Sequence, residues 1–294
     1  EGGDLTGIDY TSKQASAQVK SAIILAGLQA TGAVSVTEPR LSRDHTERML
    51  SAMGCEINTE KLADGSFKIT LPDVSNKNKL KGQQIKIPGD FSAAAFFMVA
   101  GSVFFNSEII LRNVGFNETR IGLFHILKRM GANIEIFNQH LMCGEEVVDL
   151  KINTANLKAV DVNEEDVVLA IDEIPILTVA ASFAEGVTRI RGAKELRVKE
   201  SDRLKMSAAI LSSFGIKTVE YEDGIDVYGN PELLKKEVPL QDAASWKTSG
   251  DHRIAMCGAI LELQLTGAFT FADKAAVETS FPEFDQILQG LINN

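Results

Sequence analysis

Between positions 197 and 203 the chain reads Arg197-Val198-Lys199-Glu200-Ser201-Asp202-Arg203, seven residues with three positive charges and two carboxylates. Apolar spacing follows at once (Leu204, Ala208, Leu211) and stops at Phe214-Gly215, which predicts a helix fed by a charged loop. Ser201 or Asp202 can cap that helix, its first N–H groups add partial positive charge, and Lys199 and Arg203 bring cations to the same joint. Such a joint suits a bound phosphate or carboxylate. Glu200 is the odd member, because a carboxylate among cations is either a counter-ion or a group that moves a proton. The plainer reading of the whole stretch is a solvated, charged helix start.

Three other places carry the same double reading. Asp172 stands before Ile174-Pro175, where a proline in the first turn marks a helix start. It either caps that helix or serves as a general base whose pKa is set by burial and nearby positive charge. His252-Arg253, after Ser249-Gly250-Asp251, and Arg43, in Ser42-Arg43-Asp44-His45, are either ordinary helix-start residues or ligands for an anion.

The elements that must position these residues recur with a period of about 80 residues. Each unit opens with an apolar, Ala-rich helix ending at glycine, over 16–27, 92–101, 174–186 and 253–267. A short β-rich run follows at 34–36, 108–111, 187–190 and 268–271. A polar loop then enters a second helix, and three copies close it alike, at Met53-Gly54, Met130-Gly131 and Phe214-Gly215. The glycines mark helix ends that need positive φ. A strand is predicted after each, at 55–57, 132–136 and 216–219. The polar signatures fall at equivalent joints, so the helix N-termini would pool their dipoles on one site. The polar run at 79–84 marks the expected domain boundary, and Asn230-Pro231 and Pro239 mark a loop in the later domain.

Bulk properties narrow the field. A chain of 294 residues, 45% hydrophobic, reads as two globular domains rather than one. A net charge of −10 argues against nucleic acid as a partner, and no apolar run is long enough for a membrane helix. Cys55, Cys143 and Cys257 form neither a CxxC pair nor a Cys/His cluster, which fits buried thiols in a reducing cytoplasm rather than a zinc site or a disulfide framework. The opening residues lack a methionine and do not read as a signal peptide.

Taken together, Ala15-Ser16-Ala17-Gln18-Val19-Lys20-Ser21, Ser42-Arg43-Asp44-His45-Thr46-Glu47, Asp172-Glu173, the 197–203 stretch and Asp251-His252-Arg253-Ile254-Ala255-Met256 resemble the 3-phosphoshikimate 1-carboxyvinyltransferase (EPSP synthase) family. The resemblance runs along the whole chain. It implies an α/β, two-domain enolpyruvyl-transferase fold built from repeated βαβαββ units. Residues 1–86 would be the later part of the first domain and 87–294 most of the second. Because Gly2-Gly3-Asp4-Leu5-Thr6-Gly7-Ile8 resembles an internal family segment, the first domain is expected to be incomplete, without the N-terminal third of the enzyme, and this chain inactive alone.

The family's reaction transfers the enolpyruvyl group of phosphoenolpyruvate to the 5-hydroxyl of shikimate 3-phosphate, in aromatic amino-acid biosynthesis, and is the target of glyphosate. By resemblance, Ser16, Ala17 and Gln18 grip the phosphate of shikimate 3-phosphate, Gln18 also lies near phosphoenolpyruvate, and Arg43 assists. Asp172 accepts the 5-hydroxyl proton, Lys199 lies close to that hydroxyl, and Glu200 moves the proton at the phosphoenolpyruvate methylene. Arg203 and Arg253 bind phosphoenolpyruvate, with His252 beside them. No cofactor or metal is expected, and the full-length enzyme is expected to be a cytoplasmic monomer. Where some members carry lysine just before the Thr/Ser-Phe-Pro, this chain has Thr279. Two other readings stay open: UDP-N-acetylglucosamine enolpyruvyl transferase, of the same fold and chemistry, and a non-catalytic α/β repeat module that only binds an anion.

Overall fold

The computed structural model describes residues 3–73, 80–142, 144–235, 247–267 and 273–292. The chain divides into two compact units: Glu1–Pro88 with Gly115–Arg120 and Gln139–Val147, and Gly89–Val114 with Ile121–Asn138 and Val148–Asn294.

The first unit opens with β1 (Asp9–Thr11), α1 (Ala17–Gly27), β2 (Val34–Glu38), α2 (His45–Ala52), β3 (Asn58–Lys61) and β4 (Phe67–Leu71). β1 lies parallel to β2, β2 antiparallel to β4 and β4 antiparallel to β3, which gives the order β1-β2-β4-β3. Side chains alternate along a strand, so Val34 and Val36 share a face with their cross-strand partners Leu71 and Ile69. That face is buried with Ile24 of α1 and Leu50 of α2. The helix comes close because Gly27 has no side chain: a Cβ there would stand 3.0 Å from the Val34 side chain.

Next in the chain are α3 (Phe91–Val103), β5 (Glu108–Gly115), α4 (Gly122–Arg129), β6 (Asn133–Met142) and β7 (Glu145–Asn153). Their strands form a sheet in the order β5-β7-β6, and Gly89 makes a parallel bridge to Val114 of β5. Then come β8 (Asp161–Val162), α5 (Glu164–Ala170), a 3-10 turn (Ile171–Glu173), α6 (Ile174–Ser182) and β9 (Gly186–Ile190). A second 3-10 turn (Lys194–Val198) leads to α7 (Arg203–Ser213), β10 (Thr218–Tyr221) and β11 (Gly224–Gly229). This sheet runs β8-β9-β11-β10, with β8 parallel to β9 and the other pairs antiparallel. It is the β1-β2-β4-β3 arrangement again. The last described helices are α8 (His252–Thr266), α9 (Lys274–Glu278) and α10 (Phe284–Ile292).

The repeat read from the sequence is therefore present as a recurring βαβαββ topology. Gly54, Gly131 and Gly215 take φ values of 84°, 89° and 74°, as helix-ending glycines should. Three details differ. The first strand after a closing glycine starts at Asn58 rather than at Cys55, whose side chain is buried in the first unit's core. α3 passes through Gly101 to Val103, where the missing Cβ admits Ile152 at close range. α6 stops at Ser182, so Gly186 opens a strand instead of closing a helix. The strand expected at 268–271, Pro239 and Cys143 lie outside the described residues.

In the second unit α3, α6 and α8 are buried on nearly every side, which matches their all-round apolar sequences. Phe97 packs against Phe281 and Phe284, with ring centroids 6.1 and 5.5 Å away, which ties the C-terminal segment to this core. Cys55 and Cys257 are buried thiols, and among the described residues no helix is long and apolar enough to cross a membrane.

Candidate active site

In the second unit three chain segments converge on Arg203, the first residue of α7, whose side chain is 1% exposed. Its Nε donates to Asp251 Oδ2 at 2.9 Å, its Nη1 to Asp172 Oδ1 at 3.4 Å, and its Nη2 to Glu200 Oε2. One guanidinium thus serves carboxylates from the turn before α6, the loop before α7 and the N-cap of α8. Planar, always charged and rich in donors, arginine is the residue type that can do this under burial.

Each acid is held differently. Asp251 has no exposed side-chain surface; it caps α8 by accepting from Arg253 N at 3.0 Å and accepts from Ser201 Oγ at 2.9 Å. Burial alone would raise its pKa, but Arg203, by hydrogen bond and by charge, together with Ser201, holds it below the usual aspartate value. Asp172 turns its carboxylate to Arg203, and α6 takes Glu173 as its N-cap residue without a side-chain cap bond. The capping reading of Asp172 gives way to an ion pair. Glu200, 56% exposed on its side chain, is the member of the group most open to solvent.

Arg253 Nη1 donates to the backbone oxygen of Asp172 at 2.9 Å and lies 3.6 Å from Glu173, itself buried and bonded by Ser92 Oγ. His252, at the start of α8, has its pKa pulled below the ordinary value by burial and then by the charge of Arg253. Neutral imidazole is the form it presents near neutral pH.

The cations of the 197–203 stretch do not converge. Arg197 turns to the hairpin of β10 and β11, pairing with Glu220 at 2.9 Å and donating to Glu222 O at 2.7 Å, besides Asp202 at 2.9 Å. Lys199 Nζ pairs with Glu195, on the preceding 3-10 turn. Asp202 rather than Ser201 caps α7, accepting from Lys205 N at 3.0 Å.

The first unit has a shallow, open pocket of about 300 Å³ lined by Ala17, Gln18, Ser21, Arg43, His45 and Thr46. Ser16 is the N-cap of α1, its Oγ accepting from Val19 N at 3.4 Å. The pocket therefore joins the start of α1 to the start of α2, two N-terminal ends whose N–H groups favour an anion. Ser21 and Thr46 join their hydroxyls across it at 2.6 Å. Beneath it Lys20, 1% exposed, pairs with Glu38 at 2.9 Å and Glu47 at 2.8 Å.

The sequence matches the family model of EPSP synthase (3-phosphoshikimate 1-carboxyvinyltransferase) over residues 1–288. The chain belongs to the EPSP synthase family. Among curated relatives, the 3-phosphoshikimate 1-carboxyvinyltransferase of Carboxydothermus hydrogenoformans is 47% identical over 99% of this chain and 64% of its own length. That of Thermosynechococcus vestitus is 46% identical over 98% of the chain and 62% of its own length. A solved EPSP synthase from Acinetobacter baumannii superposes with a TM-score of 0.84 at 41% identity, covering 98% of this chain and 63% of that one. The enolpyruvyl transferase NikO of Streptomyces tendae, at 16% identity and a TM-score of 0.67, shares the fold. The chain thus spans a little under two thirds of the length of these EPSP synthase relatives.

Reading the sequence for EPSP synthase residues misses the groups that hold the others in place. Asp251 stands in a quoted motif, yet its bond to Arg203 spans 48 positions. Lys20 carried a signal: it is a lone cation one turn before buried Ile24 on a helix face. Glu38 carried none, nor did Asn117, whose Nδ2 donates to Asp44 Oδ1 at 2.7 Å.

Proposed function

We propose that this protein carries out the EPSP synthase reaction, transfer of the enolpyruvyl group of phosphoenolpyruvate to the 5-hydroxyl of shikimate 3-phosphate with release of phosphate. Its partners are those two small molecules, and the full-length enzyme works as a cytoplasmic monomer. Family membership supports the reaction. The observation that carries the residue roles is the buried guanidinium of Arg203 shared among Asp172, Glu200 and Asp251.

Asp172, ionised beside Arg203, takes the proton of the 5-hydroxyl as its oxygen bonds to C2 of phosphoenolpyruvate. Glu200 in its acid form gives a proton to C3, and a tetrahedral adduct results. The C2–O bond to phosphate then breaks with its electron pair going to the phosphate, which leaves with the proton held at Asp172, and Glu200 recovers a proton from C3, leaving the enolpyruvyl ether. A protonated Glu200 loses the charge that binds it to Arg203 Nη2, so loading the acid frees a donor for the phosphoenolpyruvate carboxylate. Arg253, with neutral His252 beside it, binds the same substrate. Lys199 leaves Glu195 to approach the 5-hydroxyl. In the first unit Ser16, Ala17, Gln18 and Arg43 take the phosphate of shikimate 3-phosphate, and Gln18 also approaches phosphoenolpyruvate.

Calorimetric titration of the chain with shikimate 3-phosphate and, separately, with UDP-N-acetylglucosamine tests the substrate, and binding of the nucleotide sugar alone would move the reading to that transferase. In a family-length enzyme carrying these residues, Asp172→Ala and Glu200→Ala should each lower kcat by about 100-fold or more. Full turnover in both would leave only the anion-binding reading.

A further inference from the structure

Glu38, the last residue of β2, is 1% exposed, and its hydrogen bonds among the described residues go to Lys20 and Ser42 rather than to the groups given a role in the chemistry above. We propose that Glu38 is a positioning residue for Arg43, fixing the turn that presents this guanidinium to a phosphate. The inference rests on the reading of the first unit's pocket as the phosphate end of the substrate site.

Glu38 Oε1 accepts from Ser42 N at 2.9 Å, and Oε2 accepts from Ser42 Oγ at 2.7 Å. Lys20 Nζ, which donates to the same Oε1 at 2.9 Å, also donates to Ser42 O at 3.2 Å. The N–H, the carbonyl and the hydroxyl of one loop residue are thus bonded by two buried side chains. On the other flank, Asp44 Oδ1 accepts from Asn117 Nδ2 at 2.7 Å and Asp44 Oδ2 accepts from Arg48 Nε at 2.9 Å. Arg43 sits between two immobilised neighbours and lines the pocket.

Ordering a long side chain and its loop on binding weakens affinity, and a pre-set turn removes that cost. Fold stability is a poor explanation for the carboxylate, because a buried ion pair can usually be replaced by apolar packing without loss. An apolar residue could not accept the two Ser42 bonds. Glu47 is a built-in control: it pairs with the same ammonium at 2.8 Å but makes no hydrogen bond to Ser42 among the described residues.

The test is a double-mutant cycle read by calorimetry with shikimate 3-phosphate, alongside amide hydrogen exchange at positions 42–44. Glu38→Gln is expected to weaken binding by about 10-fold and to speed exchange at Ser42 and Arg43 by about as much, whereas Glu47→Gln changes both by less than about 2-fold. With Arg43→Ala already present, Glu38→Gln should cost under about 2-fold more. An equal loss in both backgrounds, or unchanged exchange at 42–44, overturns the proposal. Should Glu38→Gln fail to fold, Ser42→Ala removes the Oγ link from the other side, and its exchange at Arg43 is read the same way. If the unsubstituted chain does not bind shikimate 3-phosphate while exchange responds to Glu38→Gln and not to Glu47→Gln, the functional reading falls and the positioning role stands.

Discussion

A single guanidinium under three acids creates an imbalance that only burial makes costly. Asp251 is sealed from solvent and Arg203 nearly so, which leaves each dependent on the other for compensation. Removing the cation strands a buried carboxylate, so Arg203→Met should lower unfolding free energy by about 3–5 kcal/mol. Lysine should restore little, since its point charge cannot reach three acids at once. The deficit should also depend on pH. Arg203 depresses the folded pKa of Asp251 below the ordinary value of 3.8, so the stabilisation is complete above that value and is lost as pH falls through the folded pKa. Urea midpoints of the variant and the unsubstituted chain should therefore converge below pH 3.8; parallel curves down to pH 2 would mean that Asp251 is not the linked group. At this scale the sequence was half legible. Family resemblance pointed to Asp172, Glu200 and Lys199 as the catalytic set and to Arg203 as a substrate ligand; Asp172 and Glu200 meet at Arg203, while Lys199 pairs with Glu195. The sequence also suggested that Lys199 crowds a cation beside Arg203, whereas Lys199 pairs with Glu195, one turn earlier, and Arg197 pairs with Asp202 and Glu220. Local spacing cannot show which of several acids will claim an arginine.

Elements were easier to foresee because helix ends follow local rules. The glycine that closes α7 shows this most cleanly: Gly215 holds φ at 74°, and a Cβ built there meets nothing within 4 Å. Its cost of substitution is backbone strain alone. Gly215→Ala should destabilise by roughly 1–2 kcal/mol, and Gly215→Asn by clearly less, because asparagine tolerates the left-handed region. Thermal unfolding of the two variants checks the order; an alanine as stable as the glycine would contradict the assigned helix end. Boundaries decided by tertiary packing escaped the sequence. α3 continues beyond Gly101 because the glycine is needed for contact with Ile152, and β3 starts late because Cys55 is drawn into the core. The strand order was not legible, since the residues pairing β9 with β11 lie far apart in the chain.

For the molecule as a whole, the net charge of −10 opposes the anions it is proposed to bind. Attraction must come from short-range donors, the helix N-termini and Arg43 in the first unit and Arg253 in the second. Raising ionic strength from 0.01 to 0.15 M shortens the screening length from about 30 to about 8 Å and should mask the distant repulsion more than the near contacts. Stopped-flow association of shikimate 3-phosphate should accordingly hold steady or quicken over that range; a steep slowing would mean that a basic field dominates at distance. The domain outline is the part composition could not supply. A boundary near residue 86 describes one cut, whereas the first unit also takes in Gly115–Arg120 and Gln139–Val147.

That discontinuity has a consequence in time. Asp44 waits for Asn117, 73 residues further along. At a synthesis rate of about 5–20 residues per second, the turn carrying Arg43 is synthesised on the order of 4 to 15 s before one of its anchors exists. Until then Lys20 and Glu38, already made, are the partners that can hold it, and the nascent first unit matures only once a later stretch of chain has returned to it.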